Sequence, residues 1–130
     1  MNPPASPLPG PASPEAATET RRAPRRQVAG VVTVTDQMKQ QVIGRLGNVS
    51  ESGMLLLASV PLRDDALYQL RFALPMADGA QATIDVGVHL LWVEPAHAPG
   101  QAWAGFRFIT LHRDHRQLLR DWVGAGQPSA

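Results

Sequence analysis

The 130-residue chain has no cysteine, few aromatic side chains (three Trp, three Phe and one Tyr) and almost no excess charge, with 12 Lys+Arg against 11 Asp+Glu. Each shortage excludes something. Without cysteine there can be no disulfide staple, thiolate metal site or cysteine nucleophile. A formal net charge of +1 excludes a polyanion-binding surface spread over the whole molecule. The longest strongly apolar run, residues 54–60, falls far short of the ~20 residues that cross a bilayer, so no membrane insertion is expected. No positive segment leads into an apolar stretch near the start. No secretory leader is therefore expected, and a soluble cytoplasmic protein is the default.

What is present is unevenly placed. Six of the 12 prolines (Pro3, Pro4, Pro7, Pro9, Pro11 and Pro14) lie in the first 14 residues. Over residues 1–20, Leu8 is the only large aliphatic side chain beyond Met1. Such a segment cannot bury enough apolar surface to offset its ordering entropy, so it is expected to be a disordered tail. Directly after it, Arg21-Arg22-Ala-Pro24-Arg25-Arg26 concentrates four guanidinium groups. The composition divides the chain into this tail, a domain over residues 21–124 and a flexible end over residues 125–130.

From residue 28 onward the pattern is period two, the signature of half-buried antiparallel sheet. Residues 28–35 are β-branched and strand-like. Residues 41–46 alternate, with Val42, Gly44 and Leu46 opposite Ile43 and Arg45. Residues 53–59 form a short apolar run. Residues 67–74 put Tyr68, Leu70, Phe72 and Leu74 on one face. Residues 83–93 put Ile84, Val86, Val88, Leu90 and Trp92 on one face, opposite Thr83, Asp85 and His89. Residues 101–109 turn Ala104, Phe106 and Phe108 inward, with Arg107 outward and Trp103 on the face that can be exposed. Breaks fall at Asp36, residues 48–53, 77–80 and 95–100, and 77–80 is a hairpin tip. The last element switches to helical spacing, with Leu111, His115, Leu118, Leu119 and Trp122 on one face before Gly124 and Gly126. Six short strands without crossover helices predict an all-β fold with one terminal helix. The expected architecture is a six-stranded antiparallel β-barrel capped by a C-terminal amphipathic helix.

Two motifs stand out. The arginine run contains two overlapping Arg-x-x-x-Arg pairs, Arg21/Arg25 and Arg22/Arg26. Alone, such a run is ordinarily a solvated charge cluster. Here it forms an arm immediately before the first strand, and guanidinium binds phosphate with two parallel donors and stacks on flat rings. The second motif is Asn48-Val-Ser50-Glu-Ser-Gly53. Its pattern, Asp or Asn followed by x-Ser-x-x-Gly, is expected roughly 0.04 times by chance in this composition. Its plain interpretation is an Asx-type turn, with Gly53 permitting a close backbone approach.

Together with Leu91-Trp92-Val93, Ala104-Gly105-Phe106-Arg107-Phe108-Ile109 and the terminal helix, these motifs resemble the PilZ domain family over about residues 21–123. The resemblance implies a bacterial, cytoplasmic receptor for cyclic di-GMP on a six-stranded barrel. It implies Arg21, Arg22, Arg25, Arg26, Asn48, Ser50 and Gly53 as ligand-binding residues. The arginines would bind phosphate and stack on or donate to guanine, while Asn48 and Ser50 would meet a guanine edge. Whether Arg21/Arg25 or Arg22/Arg26 is the family pair stays open, as does the number of ligand molecules. The implied output is a changed surface offered in trans to an unidentified partner protein, in motility or biofilm control.

No enzyme, cofactor, metal or DNA/RNA partner is expected. His112 and His115 flank Asp114, but no third ligand stands beside them. His112-Arg113-Asp114 echoes a kinase catalytic loop without its Gly-rich loop. Asp64-Asp65 fits a solvated turn. The competing functions are a ligand-independent PilZ-like interaction module, such as a pilus-assembly or motility adaptor, and a nucleic-acid-binding barrel.

Overall fold

The computed structural model describes residues 24–126. Seven strands and a helix follow in order: β1 (Arg26–Gln27), β2 (Thr33–Asp36), β3 (Gln41–Val49), β4 (Gly53–Ala58), β5 (Leu67–Pro75), β6 (Gln81–Pro95), β7 (Ala102–Leu111) and α1 (Arg113–Ala125). All pairings are antiparallel. The strand order is β1-β3-β2-β5-β6-β7-β4, and β4 pairs back onto β3. That last pairing closes β3, β2, β5, β6, β7 and β4 into a six-stranded barrel, which removes the exposed sheet edges. β1 is a two-residue addition to β3.

The period-two faces account for the core. Leu70, Phe72 and Leu74 of β5 and Ile84, Val86, Val88 and Leu90 of β6 all point inward and are buried. Met54 and Leu56 of β4 and Ala104 and Phe106 of β7 complete the ring. The β5–β6 hairpin turns at residues 76–80, where Gly79 takes φ +87° and Asp78 Oδ1 accepts the Ala80 N–H at 2.9 Å. Only glycine adopts that backbone without strain.

Four expectations need correction, and each has a local cause. The run 28–35 is not one strand. Gly30, at φ +80°, bends the chain between β1 and β2, only β2 takes in part of the run, and the two pair with β3 separately. In β3 the partners of Val34 and Thr35 are Gly44 and Val42, which leaves Ile43 as a bulge residue. The bulge turns Ile43 into the core at 2% exposure and puts Val42 outside at 50%. In β6 the partners of Phe106 and Gly105 are Leu90 and Trp92, so Leu91 is the extra residue. Trp92 therefore leaves the inner face of Leu90 and lies on the outer face, against Gly105, where a Cβ would collide with the indole. Finally, Leu111 is the last residue of β7, not the first of the helix.

Helix α1 is N-capped by His112, whose ring accepts the Asp114 N–H at 3.1 Å, and Asp114 complements the positive end of the helix dipole. Its buried face is Leu119, Trp122 and Val123. Trp122 donates from its indole N–H to the Pro75 carbonyl at 2.9 Å, and the Asp85 N–H donates to His115 Nδ1 at 3.0 Å. The helix thus packs at the barrel end that carries the β5–β6 hairpin and the β3–β4 turn.

Candidate functional site

The β3–β4 turn is tied by one hydroxyl. Ser50 is fully buried, and its Oγ accepts the N–H groups of Ser52 at 3.1 Å and Gly53 at 3.2 Å. The Ser50 N–H donates to the Gly53 carbonyl at 2.9 Å. Ser50 therefore shapes the turn. Gly53 lies so close to β7 that a Cβ would collide with the Phe106 carbonyl. The same turn that needs glycine for packing needs serine for its hydrogen bonds.

Just before it, β3 has a second bulge, at Gly47, because Leu46 pairs with Leu56 while Asn48 pairs with Leu55. The Trp103 ring lies over Gly47, and a Cβ there would sit 3.2 Å from the ring edge. The bulge places Asn48 beside Arg25, whose guanidinium donates to Asn48 Oδ1 at 2.8 Å. Arginine has no acceptor, so it can only bond the amide oxygen. Asn48 is 8% exposed, and its NH2 group has no hydrogen-bond partner among the described residues. Buried amides ordinarily have their donors engaged, so this NH2 is an exception among the described residues.

Arg26 goes elsewhere. Its guanidinium lies 3.9 Å from the centroid of the Trp122 ring and donates to the Trp122 carbonyl at 2.6 Å. A Cβ on Gly126 would collide with the Arg26 side chain. Adjacent residues in an extended segment point opposite ways. Arg25 accordingly reaches the turn and Arg26 reaches the helix. The structure thus brings Arg25, Asn48, Ser50 and Gly53 together and leaves Arg26 outside that cluster. Arg21 and Arg22 lie outside the described residues.

Two further groups frame the turn. Arg120 of α1 contacts Glu51, with Nε to Oε1 at 3.1 Å, which engages the one carboxylate in the turn. Arg107 is the cross-strand partner of Gly53 and is exposed on the outer face. Sequence reasoning missed the Arg26–Trp122 and Arg120–Glu51 contacts because 96 and 69 residues separate their partners. Elsewhere, the exposed Arg71 donates to Asp85 at 2.7 Å, which holds the Asp85 carboxyl below its ordinary range and Arg71 above its own. The His112 and His115 rings are 5.9 Å apart. Among the described residues no group of three or more metal-ligating side chains comes together, and no helix is long and apolar enough to cross a membrane.

The sequence matches the PilZ domain family profile over residues 19–125. The chain belongs to the PilZ domain family. No curated protein matches it significantly. Among solved structures, this PilZ chain is similar to the Bacillus subtilis inhibitor of motility MotI/DgrA, with a TM-score of 0.69 and 13% identity over 81% of this chain and 50% of that one. It is also similar to the PilZ domain of Escherichia coli YcgR with c-di-GMP, with a TM-score of 0.59 and 16% identity over 82% of this chain and 90% of that one. A YcgR structure in complex with c-di-GMP gives a TM-score of 0.61 and 18% identity, over 81% of this chain and 45% of that one. The chain thus spans about half the length of MotI/DgrA. At these identities the likeness is one of fold.

Proposed function

We propose that this PilZ domain is a receptor for cyclic di-GMP. The ligand sits on the outer barrel surface between the arginine arm and the β3–β4 turn. The observation that carries this reading is the Arg25–Asn48 contact at 2.8 Å, which joins the two motifs of the sequence and leaves the Asn48 NH2 without a partner among the described residues. Arg21 and Arg25 form the clamp, because Arg26 is committed to Trp122. Their guanidinium groups bind phosphate and stack on guanine, and the Asn48 NH2 donates to a guanine edge. Ser50 and Gly53 hold the turn in shape. That YcgR structures contain c-di-GMP supports the choice of ligand.

Binding becomes signal by adding the ligand to the barrel surface where Arg25 and Arg26 already join it, which changes the surface offered to a partner protein. The likeness to an inhibitor of motility makes a motility protein the first partner class to test. Titration of the isotope-labelled chain with cyclic di-GMP checks the site. The reading expects saturable shifts at the Asn48 side-chain amide and at Arg25, with GTP and single-stranded RNA producing none. Spectra unmoved by cyclic di-GMP would identify a ligand-independent module. Shifts from RNA that fade steeply with salt would identify a nucleic-acid binder.

A further inference from the structure

We propose that Arg107 is a further binding residue of this site and that it reads the second base of the dinucleotide. The inference rests on the cyclic di-GMP reading above. Arg107 faces Gly53 across the β4–β7 ladder, and the next residue, Phe108, donates its N–H to the Ser52 carbonyl at 2.9 Å. The backbone of Arg107 is therefore fixed at the turn that carries the ligand motif. The residue is exposed, and its side chain makes no hydrogen bond or ion pair among the described residues. The acids that could neutralise it are engaged. Glu51 contacts Arg120 at 3.1 Å, and Asp65 contacts His89, the β6 neighbour of Arg107.

The floor between Arg107 and Asn48 suits a flat ligand. Asn48 pairs with Leu55, and Leu55 pairs with Gly105, which the Trp92 indole covers, so the surface there is apolar. Asn48 and Arg107 stand two strands apart and two residues out of register, a backbone separation of about 12 Å. A cyclic dinucleotide carries its two bases on opposite sides of its phosphate ring. With one guanine at Asn48 and Arg25, the other extends over β4 toward β7. Guanine offers O6 and N7 on its Hoogsteen edge, which match the paired donors of a guanidinium. Arg107 thus adds base recognition on the β7 side of the turn.

The test is a binding cycle on the full chain. Intact protein and Arg107→Ala are each titrated with cyclic di-GMP and with its 7-deazaguanine analogue, which lacks N7. The expected result is a loss of about 5- to 150-fold in affinity for cyclic di-GMP in Arg107→Ala, with an unchanged melting temperature. The 7-deaza substitution should then cost the variant less than it costs the intact chain. Full affinity in Arg107→Ala overturns the inference. So do losses from variant and analogue that simply multiply, because they would mean that Arg107 acts on phosphate or through bulk charge. If the intact chain fails to bind cyclic di-GMP, the underlying reading falls, and that outcome is separate from a failure of Arg107 alone.

Discussion

The Arg25–Asn48 contact uses only Oδ1 of Asn48, the part of the side chain that Asp shares with Asn. Both side chains present an Oδ that can take a guanidinium N–H. Removing either partner should leave the other misplaced, so the two truncations should not add. A double-mutant cycle of Arg25→Ala and Asn48→Ala, read by cyclic di-GMP affinity, is expected to give a coupling of about 0.5–3 kcal/mol. Strictly additive losses would separate the two residues functionally. A second prediction concerns pH. The hydrogen bond from Arg71 lowers the folded-state pKa of Asp85. Its stabilisation is therefore present above the ordinary carboxylate value and is lost as the pH falls through the lowered folded value. The pair is exposed, so the effect is small. Melting temperatures taken from pH 6 to below about pH 4 should fall slightly more steeply for the intact chain than for Asp85→Asn. Equal slopes would assign no role to the pair.

At the scale of elements, α1 is tied to both halves of the candidate site, to the arm through Arg26 and Trp122 and to the turn through Arg120 and Glu51. Trp122 is 3% exposed, so Trp122→Ala should cost about 3–5 kcal/mol in denaturant unfolding. Arg26→Ala removes a cation–π contact and a charge-assisted hydrogen bond and should cost about 1–2 kcal/mol. It should also leave cyclic di-GMP affinity far closer to the intact value than Arg25→Ala does. If Arg26→Ala abolished binding without loss of stability, the clamp would be Arg22/Arg26 instead. Much of this level was legible in the sequence. The alternation of residues 67–74 gave β5 its inner face, and the Asp78-Gly79 tip gave the hairpin. What was not legible turns on single extra residues. The bulges at Ile43 and Leu91 invert the faces of Val42 and Trp92, and no local pattern announces them because they are fixed by the partner strand. The site was legible as two motifs. That Arg25, rather than Arg26, meets Asn48 depends on which way β1 faces when it joins β3, a long-range pairing.

The whole molecule is a nearly neutral barrel with its basic arm at one edge. The net charge of +1 is compatible with a dianionic ligand because the guanidinium groups are local. Closure of β4 onto β3 keeps the turn and Asn48 in place whether or not the arm is engaged. Loss of Arg21 and Arg25 should therefore abolish recognition and spare the fold. Calorimetric titration of the full chain with cyclic di-GMP, beside an Arg21→Ala/Arg25→Ala variant of equal thermal stability, tests this most directly. The account predicts a saturable heat for the intact chain that is absent from the variant and absent with GTP or single-stranded RNA. No heat with cyclic di-GMP, or the same heat from the variant, would contradict it.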